Sequence, residues 1–188
     1  MRLVAVTLAA VLALTGAAPA QEDALGVPGP ITFEAETFEL AWTSNPSPTY
    51  FKQEYLPEGE APESYSQMFI VEAVTQGPTP QQAAEAMMES LDERKAEDPM
   101  VNHALIANET TGEMVLDFIL SATGPDGERV VEWNAYRYVR LGDGVALYAI
   151  SRRGYGDGIE TFLWELNNWR ETTVHALATM DVPELTVE

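Results

Sequence analysis

Residues 114–156 read MVLDFILSATGPDGERVVEWNAYRYVRLGDGVALYAISRRGYG. Three runs rich in Val, Ile, Leu, Tyr and Trp are split by Gly124-Pro125-Asp126-Gly127 and by Gly142-Asp143-Gly144. Proline fixes one backbone angle and glycine reaches positive φ, so both breaks are hairpin signals. The stretch predicts a three-stranded antiparallel meander, and the rest of the chain is suited to extending or covering it.

A loop at 124–127 sets Thr123 opposite Glu128. Antiparallel pairing then places Leu116 against Ala135, Phe118 against Trp133 and Leu120 against Val131. Side chains alternate along a strand, so these all share one side. A two-residue turn at 142–143 or 143–144 adds Ala146, Tyr148 and Ile150 to it. A slip of one residue would scatter the set.

The opposite side is mixed, and Asp117, Asn134, Tyr136, Ser151 and Arg153 are its candidate ligand-binding residues. A carboxylate inside VLDFIL is expensive to cover unless it has partners. Either that side is wet and forms a shallow groove, or it holds a polar network satisfied from within. Arg137 falls on the apolar side, where a bulge or a sheet edge would accommodate it.

Outward from the meander, Ile31 to Trp42 alternates and then slips phase, predicting two short strands with a turn or bulge near Glu36-Thr37. Ser44 to Thr49 carries two prolines and reads as a loop. Tyr50 to Leu56 and Gln67 to Thr75 read as strands, the second apolar enough to be central. Thr79-Pro80-Gln81-Gln82 opens a helix with a capping box. Its apolar face is Ala84, Met87, Met88 and Leu91, and Asp98-Pro99 ends it. Met100 to Asn108 is a further strand. Asp157, with Glu160 three residues on, is expected to cap a last helix. Its stripe is Phe162, Leu166, Trp169, Thr173, Leu177 and Met180.

At the front, Arg2, an apolar run from Leu3 to Leu14 and Ala18-Pro19-Ala20 describe a signal peptide, residues 1–20. Residues 21–30 are expected to be a disordered lead-in, 31–182 a single domain, and 183–188 a tail. Export to the periplasm or the exterior follows, with no membrane span in the mature chain. Without Arg2, nine basic residues stand against 30 acidic ones. Such a field repels nucleic acid and anionic headgroups. The chain has no cysteine, so disulfide partners, thiol catalysis and Cys-ligated metals are excluded.

The chemistry-bearing patterns are thin. His103 and His175 are the two histidines, far apart in sequence, and no Gly-x-Ser-x-Gly or His-Glu-x-x-His is present. Glu58, Glu60 and Glu63 sit close together but match no calcium loop. Gly154 to Gly158 precedes a helix but lacks a phosphate loop's lysine, and Asp157 occupies the anion's place. No catalytic residue, metal or cofactor is assigned.

A capped helix after Thr79, a meander and a long closing helix resemble, in order, the PsbP-like α/β sandwich, including DcrB-type exported bacterial proteins. The segments Tyr55-Leu56-Pro57-Glu58-Gly59-Glu60 and Ser64-Tyr65-Ser66-Gln67-Met68 also look like those of secreted bacterial proteins. The resemblance implies assembly or binding without catalysis. The expected protein is an α+β domain with an antiparallel sheet of six or seven strands covered by two helices. It would serve as a binding or accessory protein for an envelope protein or small molecule. The alternative is a small envelope hydrolase using the polar side of the sheet.

Overall fold

The computed structural model describes residues 22–124 and 127–187. The expected leader lies outside them. Eight strands form one antiparallel sheet: β1 (Ile31–Phe33), β2 (Glu36–Ser47), β3 (Tyr50–Leu56), β4 (Gln67–Val74), β5 (Asn102–Ala107), β6 (Met114–Thr123), β7 (Arg129–Leu141) and β8 (Gly144–Tyr155). Their order is β1-β2-β3-β4-β8-β7-β6-β5, and the sheet curls into a half-barrel. Two helices accompany it, α1 (Pro80–Arg94) and α2 (Ile159–Thr179). This corrects the expected six- or seven-stranded sheet covered by two helices. The protein is mostly sheet, and its helices lie on opposite faces, each with its own core.

The two-faced core explains the difference. From Gly144 to Ser151 every residue of β8 is buried. Val145, Leu147 and Ala149 join Leu91 of α1, whereas Ala146, Tyr148 and Ile150 join Leu166, Val174 and Leu177 of α2. A strand buried on both faces reads as a continuous apolar run and hides its alternation. Each large side chain so covered contributes about 1.5–3 kcal/mol.

The β6–β7 register also departs from expectation by one residue. Gly124 N donates to Glu128 O (2.7 Å) and Gly127 N to Gly124 O (3.0 Å), with Gly127 at φ 84°. The hairpin closes on Gly124 and Glu128 with Gly127 in the left-handed region, so Thr123 pairs with Arg129, one residue beyond the expected Glu128. Phe118 then stands opposite Asn134, and Ile119 opposite Trp133. Leu116 and Phe118 therefore face α1, while Trp133 and Ala135 face α2. The β7–β8 hairpin, by contrast, turns at 142–143 as expected, with Leu141 against Gly144 and Gly142 at φ 51°.

Residues 22–30, expected to be disordered, are part of the core. Leu25 is fully buried and Val27 nearly so, and the Asp23 carboxylate accepts from both their amides at 3.0 Å. The expected tail packs beside them. Thr186 N donates to Leu25 O (2.9 Å), and Tyr148 Oη to Pro183 O (2.6 Å). Polar composition misled here because the two apolar residues, only two apart, are anchored by one carboxylate. The expected loop at 44–49 is partly strand, since β2 runs to Ser47. Pro46 is tolerated because no described strand pairs with that stretch's outer side.

The capping box of α1 forms as read, Gln82 N to Thr79 Oγ1 (3.2 Å) and Thr79 N to Gln82 Oε1 (3.0 Å). Asp157 does not cap α2. Gly156–Gly158 make a 3-10 turn, and Gly158 is the N-cap without a side-chain bond. Gly154 has a packing role instead, because a Cβ there would come within 2.7 Å of the Phe162 side chain.

Candidate functional site

The strands separate the five expected ligand-binding residues. Asn134, Tyr136, Ser151 and Arg153 lie on the α1 face of β7 and β8. Asp117 lies on the α2 face, because β6 is turned over relative to the expected register. There its carboxylate accepts from Trp133 Nε1 (2.7 Å) and from Arg170 Nε (2.7 Å), so it ties α2 to the sheet. A site joining Asp117 to Asn134 and Tyr136 does not exist in this fold. Arg137, the misfit on the apolar side, donates to Leu177 O (3.0 Å) and Met180 O (2.8 Å) and pairs with Glu113 (3.0 Å). Its guanidinium satisfies carbonyls at the C-terminal end of α2, where cations are favoured.

Of the other four, Asn134, Ser151 and Arg153 join a network under Tyr65, which the 57–66 segment presses onto the sheet, and Tyr136 packs beside Phe118 and Tyr138 on the same face. Tyr65 Oη stands 3.1 Å from both Glu132 Oε2 and Ser151 Oγ. Arg153 Nε donates to Glu132 Oε2 (2.5 Å), and its guanidinium lies 3.9 Å over the Tyr65 ring. Asn134 Nδ2 donates to Glu132 Oε1 (3.0 Å). Burial first, then the Glu132 charge, lifts the Tyr65 hydroxyl well above its usual range, so it stays a donor. With Asn134 and Ser151 shut off from solvent, this network holds the segment down. Glu60, one of the three clustered glutamates, accepts from Ser66 N (2.9 Å) and shapes the same segment. Among the described residues no group of three or more His, Asp or Glu is placed to hold a metal.

Further along this face Tyr50 Oη donates to Glu72 Oε2 (2.9 Å). Lys52 Nζ sits 2.9 Å from Glu54 and 3.6 Å from Glu72. Burial raises the Glu72 carboxyl pKa, Lys52 opposing it, and burial together with Glu72 raises Tyr136 and Tyr138. The carboxylates of this cluster have their partners inside it. A shallow depression of 430 Å³ at the end of α1 is similar in kind. Within it Asp98 accepts from Ser121 N (2.7 Å), Ser121 Oγ (2.7 Å) and Met100 N (3.1 Å).

What stays open is β5. It lies at the margin of the sheet, Leu105 is 37% and Ile106 51% exposed, and it contains no Asp, Glu, Lys or Arg. Asn108 N donates to Glu113 O (2.9 Å), and the pairing runs unbroken to Asn102 opposite Ile119. Antiparallel bonding alternates, so residues 102, 104 and 106 bond inward to β6, and His103, Leu105 and Ala107 direct their N–H and C=O outward. Sequence reasoning placed a strand here but missed that it is an edge. The signal was the uncharged Asn-His-Ala-Leu-Ile-Ala, which reads equally well as a central strand. His103 is tied to α1 through Asp92 (2.9 Å), and among the described residues the two belong to no group of three or more that could hold a metal.

Fold and site together define a single-sheet half-barrel with one unguarded margin. The chain belongs to the protein family whose model matches residues 25–182, and that match brings no activity with it. Searches of curated proteins and of solved structures found no match. Nothing in these comparisons connects the chain to PsbP-like or DcrB-like proteins. No described helix is long and apolar enough to cross a membrane.

Proposed function

We propose that this is an exported, non-enzymatic binding or accessory protein that takes hold of another polypeptide at the β5 edge. The observation that carries the reading is a six-residue strand whose outer edge pairs with no described strand, with Leu105 and Ile106 exposed. Unpaired strand edges template pairing with another chain, and natural proteins normally blunt them. Strand addition uses such an edge: main-chain hydrogen bonds give affinity and alternate side chains give selectivity. The leader-like residues 1–20 and the strongly acidic composition support a place in the periplasm or outside the cell. Weighing against the hydrolase alternative, Asp117 lies on the other face from Asn134 and Tyr136.

A photo-crosslinking residue placed at Leu105 in cells tests this. The expected result is a discrete adduct from that position, in the periplasmic or secreted fraction, with none from exposed Glu89 of α1. Adducts from both positions, or from neither, would defeat the reading.

A further inference from the structure

We infer that the occupant of the β5 edge is an extended, basic segment of a partner, alternating apolar side chains with Lys or Arg. This rests on the edge reading above and adds the chemistry of the partner.

The first support is backbone geometry. Outward groups of His103, Leu105 and Ala107 offer three donors and three acceptors in a row, so the partner must be extended. Side chains flank that row on both sides of the sheet. Leu105 lies on the α1 side with Leu116, and Ile106 on the other with Val115. An added strand therefore meets an apolar side chain on each flank of its own backbone.

The second support is charge. The chain carries a formal −20, and the fold leaves few cations unpaired to offset it. Of the nine lysines and arginines among the described residues, at least six are taken into ion pairs: Lys52, Arg94, Arg137, Arg152, Arg153 and Arg170. The field reaching an approaching strand is strongly negative, which draws in cationic segments and repels acidic ones. It also argues against a second copy of this chain as occupant, since both copies carry the same charge.

Two short synthetic peptides test the inference, one alternating valine with lysine and the other valine with glutamate. Each is titrated into the purified protein while backbone amide signals and their hydrogen exchange are followed. The expected result is binding of the lysine peptide alone, with slowed exchange at His103, Leu105 and Ala107. Affinity should fall as salt is raised. Leu105→Pro removes one outward donor and leaves the β6 ladder intact, so it should weaken the lysine peptide at least about tenfold. Circular dichroism of that variant checks that it stays folded.

Equal binding of both peptides at β5 would overturn the basic partner and leave the edge reading standing. Self-association of the protein alone, abolished by Leu105→Pro, would do the same and name a second copy as the cover. If neither peptide slows exchange at β5 and the protein is monomeric, the partner chemistry and the edge reading both fall.

Discussion

At one margin of the sheet β1 is three residues long, and β2 beside it shifts register between Leu40 and Trp42 and again between Ser44 and Ser47. At the other margin β5 pairs with β6 over its full length without a shift. The first margin has a very short strand, bulges and Pro46, devices that stop a sheet from growing. The second has neither a proline nor a lysine. Among the described residues one edge is thus guarded and the other left bare, a difference that supports the proposal of β5 as a place for contact.

The comparison breaks most readily at its two apolar anchors. Phe33 of β1 is 4% exposed with its ring 5.7 Å from that of Phe69. Phe33→Ala should lower unfolding stability by about 3–5 kcal/mol, because a buried aromatic leaves a cavity. Leu105→Ala should lower it by less than about 1 kcal/mol, as exposed sites usually do. Urea midpoints for the pair check this. Similar losses would mean that β5 is as deeply built in as β1.

Proline placed at successive positions of β5 gives the next largest contrast. Ile106→Pro removes an inward amide and should cost about 3 kcal/mol. Leu105→Pro removes an outward amide, and edge strands tolerate that with a loss below about 1 kcal/mol. Thermal unfolding of both variants reads the difference. If Leu105→Pro is the worse of the two, the alternation deduced for β5 is inverted.

The entrance to β5 is held by Asp98, and its contribution depends on pH. Burial alone would raise this carboxyl. The Ser121 hydroxyl and amide, Met100 N and Arg94 outweigh it and hold the pKa below the ordinary range. A depressed carboxyl stabilises the fold above its unfolded pKa and loses that effect as pH falls through the folded value. Asp98→Ala should therefore cost about 1–3 kcal/mol near neutrality. The gap to the parent should close below about pH 4. A gap that stays constant down to acid unfolding would show that the carboxylate's charge is not what Ser121 and Met100 require.

Most elements were legible in the residues, and the failures have specific causes. The α1 cap was readable because Thr79, Pro80 and Gln82 act within one turn. The β7–β8 turn was readable because Gly142-Asp143 admits few geometries. The β6–β7 turn was not, since Gly124 to Gly127 admits more than one loop length, and the one adopted has Gly127 at φ 84°. That one residue exchanged the faces of Leu116, Asp117 and Phe118 and dissolved a site built on Asp117. The β7 and β8 members, Asn134, Tyr136, Ser151 and Arg153, stayed together because their own hairpin was right. Their cover was illegible: Tyr65 lies 67 positions before Glu132, and no local pattern announces so distant a contact. Whether β5 is an edge or an interior strand is likewise decided by chain order in space, which Asn-His-Ala-Leu-Ile-Ala does not encode.

The smallest effect concerns how the guarded edge is locked. Glu34, in the turn between β1 and β2, has φ 53°, and its carboxylate accepts from Arg152 Nη2 (2.6 Å) and Thr173 Oγ1 (3.1 Å). A side chain with a Cβ is held there in left-handed backbone, at a cost of about 1 kcal/mol. Two substitutions separate the backbone from the contacts. Glu34→Ala keeps the Cβ and loses both contacts, and Glu34→Gly loses the contacts and the strain together. Both should be less stable than the parent, with glycine ahead of alanine by about 1 kcal/mol in urea unfolding. Alanine equal to glycine would mean that the turn relaxes once the carboxylate is gone. The link to Arg152 and Thr173 would then be what imposes the left-handed geometry, and the guarded edge would owe its shape to α2 and β8 and not to its own turn.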